Sequence, residues 1–230
     1  MVKNMVEIVY IRHSKSSANE RHIIAWSPHV DLADDWKKTA KIFAEHHRDE
    51  LVQHNPLVIT GPQLRSIRLV ENLQDVHPWL TVIESSAFNE REFWIFGWRA
   101  KQEMIAMLQW MYPEYKNDKD FSSWMDRKID IPWWFESNHE LKLRTEYGLK
   151  KVFSQYPNYK TVWIITSTGL IRNVLSLVLW KSAVEIDNHL PTNKIPNLSR
   201  TEIYYNLSDG TSTVGKIAHI DPILQKKFEI

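Results

Sequence analysis

The chain of 230 residues contains no cysteine. Disulfides, thiolate catalysis and cysteine-ligated zinc are therefore excluded. It also lacks an excess of either charge: 29 basic side chains against 28 acidic ones leave a formal net charge of +1. That balance argues against nucleic acid or an anionic membrane as the main partner, while allowing a local basic pocket. No apolar run approaches the roughly 20 residues needed to cross a bilayer. The first residues pass so soon into a strand pattern that no signal peptide fits before it. A soluble, cytoplasmic protein is expected, in which the sequons at Asn197 and Asn206 are chance matches. Repeats, low-complexity tracts and flexible linkers are missing too, so a single domain over 1–230 is expected. Among the ten histidines only the adjacent pair His46-His47 even touches metal-ligand spacing, and it falls in a charged helical pattern that would leave it solvated. No metal and no organic cofactor are expected.

What the chain does have is alternation. Short β-branched runs alternate with longer amphipathic segments, the pattern of a parallel sheet covered by helices on both faces. The spacing predicts strands over 6–11, 57–60, 80–83 and 161–166, and an edge hairpin from 200–206 and 212–218. It predicts helices over 34–53, 63–73 and 169–180, and a further start at Ser17, where Glu20 three residues on completes a capping box. The fold class is an α/β three-layer sandwich with a mostly parallel central sheet. Residues 88–154 form a helical, aromatic insertion holding six of the 11 tryptophans, namely Trp94, Trp98, Trp110, Trp124, Trp133 and Trp134. It is read as a cap above the sheet edge where ligands bind. These tryptophans are read as packing for core and cap; were they to line the pocket, the substrate would have a hydrophobic or aromatic body.

Three strand-to-helix turns carry reactive side chains in order. After the first strand come Arg12 and His13, after the second Arg65 and Arg68, and after the third the acidic loop Asn89-Glu90-Arg91-Glu92. Paired arginines can clamp a phosphate, a histidine can attack phosphorus in line, and a carboxylic acid can protonate the leaving oxygen. Arg68 and Arg172 are read as structural or rim residues.

The run Arg12-His13-Ser14-Lys15-Ser16-Ser17-Ala18-Asn19 resembles the first motif of the histidine phosphatase superfamily, the phosphoglycerate mutase-like proteins. Gly61-Pro62-Gln63-Leu64-Arg65 looks like its second motif and Phe88-Asn89-Glu90 like its acidic motif, and the resemblance covers nearly the whole chain. It implies that His13 is the nucleophile that becomes phosphorylated and that Glu90 is the general acid, with Glu92 as the other choice. It further implies that Arg12 and Arg65 clamp the phosphate, with Asn19 and Ser16 as ancillary contacts.

The chain departs from this family in four places. The last motif, Thr166-Ser167-Thr168-Gly169, has Ser167 where the family has a second histidine. Serine can donate a hydrogen bond but carries no charge, and losing such a stabiliser costs on the order of 2.7 to 4 kcal/mol of transition-state binding. Ser14 replaces a glycine, Lys15 an acidic or amide residue, and Trp36 another glycine. The leading expectation is a phosphatase acting on a small phosphorylated molecule, with Ser167 as a weakened donor. A pseudo-enzyme that binds a phosphorylated ligand or a protein partner, and an enzyme repurposed to eliminate phosphate from an activated substrate, are the other readings. A homo-oligomer is possible in all three.

Overall fold

Alternating apolar side chains bury both faces of one sheet. Its parallel strands are β1 (Met5–Arg12), β2 (Leu57–Thr60), β3 (Val82–Glu84) and β4 (Thr161–Thr166). β5 (Arg200–Asn206) and β6 (Ser212–Val214) complete it as an antiparallel edge, in the order β3-β2-β4-β1-β5-β6. The computed structural model describes residues 5–21, 23, 29–91, 101–111, 136–181, 185–186, 188, 190 and 195–227. Of the expected cap, residues 92–100 and 112–135 lie outside the described residues, and with them Glu92, Trp94, Trp98, Trp124, Trp133 and Trp134. Described helices are α1 (Ser17–Glu20), α2 (Asp34–His46), α3 (Arg48–His54), α4 (Leu64–Val76), α5 (Lys101–Met111), α6 (Asn138–Gln155), α7 (Thr168–Leu179) and α8 (Pro222–Lys227).

Strand periodicity of two sorts the core. Ile8, Tyr10, Ile59 and Ile164 face one way and pack with α6 and α7, through residues such as Leu141, Val152, Leu170 and Leu175. Val9, Ile11, Val58, Trp163 and Ile165 face the other way and pack with α2, α3, α4 and α8 through Phe43, Leu51, Leu69 and Leu224. This is the expected three-layer sandwich. The last part of the stretch read as a cap, α6, is one of the layer helices: its Leu141, Thr145, Gly148 and Val152 are buried. Trp110 does not act as packing, being 84% exposed on α5. No helix among the described residues is long and apolar enough to cross a membrane.

Several expected details change, and the second hairpin strand, for one, ends at Val214 rather than residue 218. The first capping box is set by Ser16 and Asn19, one residue earlier than Ser17 and Glu20, because the Ser16 hydroxyl accepts from the Asn19 backbone and the Asn19 side chain accepts from the Ser16 backbone. β3 begins at Val82 rather than residue 80. The long helix over 34–53 is broken at His47, and that histidine is buried rather than solvated. Its ring packs on Phe43 and Trp163, and its Nδ1 lies 3.0 Å from Glu50 Oε2. Glu50 also accepts two bonds from Arg200, at 2.6 and 2.5 Å, while the Arg200 guanidinium covers the Trp163 ring.

Burial opposes ionisation of Glu50, yet these bonds win and hold its carboxyl down at about 2. The folded state therefore keeps it charged where the unfolded chain, with the ordinary value of 4.5, takes up a proton. Its stabilisation is full above pH 4.5 and is expected to fade as pH drops toward 2. Since the side chain is 31% exposed, Glu50→Gln should cost about 2 kcal/mol at pH 7, somewhat below a fully buried pair, and should flatten that part of the acid limb. Urea denaturation at pH 7 and at pH 3.5 measures both effects.

Candidate active site

The site follows from strand order. β2, β4 and β1 are neighbours running the same way, so their C-terminal ends lie side by side. Arg12 pairs with Thr166, which makes His13 and Ser167 the next pair beyond the sheet. The His13 amide donates to the Thr166 carbonyl at 2.9 Å, locking the two turns together. The His13 carbonyl accepts from Asn197 Nδ2 at 2.8 Å.

His13 is buried, and its ring has a defined proton arrangement. Nδ1 lies 2.6 Å from the Ser14 carbonyl, which only accepts, so Nδ1 carries the hydrogen. Arg65 Nε donates to His13 Nε2 at 3.2 Å, and that nitrogen therefore presents its lone pair. Burial lowers the ring's pKa well below its ordinary value, and the charges of Arg65 and Arg12 push the same way. The result is a neutral imidazole whose Nε2 is aimed at the arginines, the form required of an attacking nitrogen.

Both arginines are embedded in the protein. Arg65 opens α4 and is 2% exposed, with one terminal nitrogen donating to Gln63 Oε1 at 2.7 Å. One terminal nitrogen of Arg12 donates to the Ile195 carbonyl. Burial pulls each guanidinium down to about 10, and Glu90 pulls back up on both. Glu90 is thus within electrostatic reach of both guanidiniums. Arg172 on α7 also acts on Arg12, by repulsion, so its charge belongs to the same neighbourhood. Arg68, in contrast, pairs with Glu71 and Asp31 on the surface.

Two glycines admit the acidic loop. A Cβ at Gly61 would meet Asn89 Oδ1 at 2.2 Å, and one at Gly169 would meet Glu90 Oε1 at 2.2 Å. Residues 89 and 90 therefore lie directly on the backbone at the end of β2 and at the start of α7. Thr166 Oγ1 donates to the Phe88 carbonyl at 2.6 Å, and Arg144 of α6 reaches the carbonyls of Ser86 and Ala87 at 2.8 and 2.9 Å. The Glu90 carboxylate accepts from the Arg91 amide at 2.9 Å. Because the obstructing atom at Gly169 ends a flexible side chain, Gly169→Ala should fold. It should push Glu90 aside and, with Glu90 as the general acid that the resemblance implies, slow turnover of any poor leaving group by about 10²-fold or more. Comparing kcat on alkyl and activated aryl phosphates measures this, since good leaving groups need little protonation.

Ser167 and Thr168 stand beside His13. Ser167 is 1% exposed and caps α7 with its backbone only; neither its Oγ nor Thr168 Oγ1 has a hydrogen-bond partner among the described residues. Ser16 and Asn19 are placed close by in sequence after His13, but the bonds they make are to each other, Ser16 Oγ lying 3.0 Å from Asn19 Oδ1. The three other departures form one packed unit. Ser14 Oγ donates to the Trp36 carbonyl at 3.1 Å, and Lys15 Nζ sits 5.9 Å over the Trp36 ring. Sequence reasoning passed over Gln63 and Asn197 as positioning residues; both lie inside motifs or loops already singled out, but side-chain to backbone bonds of long range leave no spacing signal. Among the described residues no group of three or more histidines or carboxylates could hold a metal ion.

The chain matches the family model "Histidine phosphatase superfamily (branch 1)" over residues 8–213. Its structure is similar to a phosphoglycerate mutase from Bacillus anthracis, at 16% identity and TM-score 0.77, covering 99% of this chain and 98% of that one. It is similar to Bacillus stearothermophilus YhfR, at 13% identity and TM-score 0.76, covering 94% and 98%. A mycobacterial glucosyl-3-phosphoglycerate phosphatase also resembles it, at 14% identity and TM-score 0.74, covering 94% and 100%. At these identities the likeness is one of fold. No curated protein sequence matches the chain.

Proposed function

Since the chain belongs to branch 1 of the histidine phosphatase superfamily, a family of phosphoryl-transfer enzymes, we propose that it hydrolyses a small phosphomonoester through a phosphohistidine at His13. The observation that carries this reading is the unprotonated Nε2 of a buried, neutral His13, held 3.2 Å from Arg65 Nε. On binding, the phosphoryl group takes the guanidinium N–H groups of Arg65 and Arg12 and comes in line with that nitrogen. Nε2 attacks phosphorus, the P–O bond to the substrate breaks, and the leaving oxygen takes the proton of Glu90. Water then attacks the phosphohistidine while the Glu90 carboxylate accepts its proton, and inorganic phosphate leaves. Buried arginines stabilise the charge on the transferred group in a site with little water to screen them. Ser167 and Thr168 supply hydroxyl donors beside it, and Ser16 and Asn19 hold the turn that presents His13.

The test is release of inorganic phosphate from a panel of alkyl and aryl phosphomonoesters, joined to alkaline-quenched mass spectrometry of the peptide holding His13. The expected result is steady phosphate release and a phosphoryl group on His13 at early times. Saturable phosphate binding without release across the panel overturns it in favour of a binding protein. A product whose carbon skeleton changes as phosphate leaves overturns it in favour of elimination; the Ser167 hydroxyl, unpartnered among the described residues and in the place of a charged donor, is what keeps these alternatives in the test.

A further inference from the structure

After β3 the chain makes one 3-10 turn, Ser86–Phe88, and then runs extended through Asn89 to Glu90. So short a turn leaves backbone carbonyls without the bonds of a helix or a sheet, and α6 supplies donors for them. Nη1 of Arg144 lies 2.8 Å from the Ser86 carbonyl and 2.9 Å from that of Ala87. Both of its terminal nitrogens lie 3.4 Å from the carbonyl of Asn89, the residue before Glu90. The other edge of the same guanidinium grips the Glu136 carboxylate, Nε at 2.7 Å and Nη2 at 2.8 Å, which sets the plane of the group that meets the loop.

The residue after Glu90 is tied to the same place. Arg91 is buried; its Nη1 donates to the Glu136 carbonyl at 3.0 Å and its Nη2 to Asn138 Oδ1. Glu136 and Asn138 flank Ser137, the cap of α6, whose reciprocal bonds with Glu140 fix the start of that helix. Asn173 of α7 donates to the Asn138 carbonyl at 3.1 Å, joining this network to the helix that begins beside His13. Packing of the turn is provided separately, since Phe88 is buried and Gly148 of α6 lies against Ala87 and the Phe88 ring. The network therefore adds direction to a turn whose apolar contacts are already made. It holds the backbone on both sides of Glu90.

We propose that Arg144, set by Glu136, is a positioning residue for Glu90: by holding the backbone that carries it, the guanidinium fixes where the carboxyl meets the leaving oxygen. This rests on the reading of Glu90 as the general acid, and Arg144 acts through Glu90 rather than on the phosphoryl group. A lysine in its place keeps the charge but has no planar fork with which to hold a carboxylate and three carbonyls together. Misplacing a reacting group by about 1 Å costs on the order of 10²-fold in rate.

The test compares kcat/KM on phenethyl phosphate, a poor leaving group, and on p-nitrophenyl phosphate, a good one, for the full chain and for Arg144→Lys and Glu136→Gln. This quantity covers the steps up to departure of the alcohol, where Glu90 gives its proton. The ratio of the alkyl to the aryl value is expected to fall by about tenfold or more in both variants. In a Glu90→Gln background, Arg144→Lys should lower it by less than about twofold more, because the residue it acts through is already disabled. Vanadate affinity should shift by no more than a few-fold. Thermal unfolding identifies a variant that fails to fold, and Glu136→Gln, which loosens the same guanidinium from outside the loop, decides the matter if Arg144→Lys is one. An unchanged ratio in a folded variant, or a full further loss on top of Glu90→Gln, overturns the proposal and leaves Arg144 a structural role. A native ratio insensitive to Glu90→Gln overturns instead the reading of Glu90, and absence of phosphate release from either ester overturns the phosphatase reading; this proposal falls with each.

Discussion

His13→Ala is expected to lower kcat by about 10⁴-fold or more while inorganic phosphate and vanadate still bind. On the proposed mechanism the substitution removes the attacking group, yet takes no charge from the site, because the ring is neutral. Arg12 and Arg65 keep their anchors at the Ile195 carbonyl and at Gln63, so the proposed anion clamp survives. Rate and affinity therefore separate: vanadate titration should change by a few-fold where turnover collapses. The same burial sets the pH profile of the native protein. A histidine whose pKa is lowered remains unprotonated as pH falls through the ordinary value of 6.5, so activity should persist at pH 6 and below. An acid limb centred near 6.5 in kcat/KM would mean that burial and the two arginines do not act on His13 as the geometry requires.

Much of this arrangement is legible in the sequence because it depends on order along the chain. Each of His13, Arg65, Glu90 and Ser167 follows a β-strand pattern, and a parallel sheet carries every such turn to one edge. Motif resemblance then matches the turns to one another. What the pattern does not contain is contact between distant residues. His47 reads as solvated because its neighbours are charged, but Glu50 and Arg200, 150 residues apart, close an ion pair over Trp163 and bring the ring inside. The break between α2 and α3 falls at that same histidine. Likewise Ser14, Lys15 and Trp36 read as three separate departures from the family, although one indole-bearing residue receives both of the others. A larger residue at position 36 fills the space beside the first turn, and the turn's own side chains are matched to it. The Ser16–Asn19 box is a smaller case: spacing alone fits Ser17 and Glu20 equally well, and only the path of the turn after His13 decides between them.

Ser167→His is expected to raise kcat by about 10²-fold, the reverse of the loss that follows when a charged donor is removed from such a site. Ser167 is the residue next to His13 across the β1–β4 register, and its hydroxyl makes no hydrogen bond among the described residues. A histidine introduced here therefore breaks no side-chain hydrogen bond among the described residues, and it stands beside His13 at the end of the sheet. The gain carries a sign that distinguishes it from a general improvement in packing. Only the protonated imidazole adds charge to the transition state, and the nearby guanidiniums of Arg12 and Arg65 lower the pKa of any ring set beside them, as they do for His13. The advantage of the variant should thus be greatest at acid pH and shrink as pH rises, until mutant and native rates converge. Because the position is 1% exposed, the larger side chain must displace something, and thermal unfolding is read alongside the rates. A folded variant with no gain at any pH means that the native chemistry does not wait for a charged donor at this position. Removing Arg172, the further cation that acts on Arg12, then becomes the decisive substitution, since it is the remaining charge on α7 able to serve in that role.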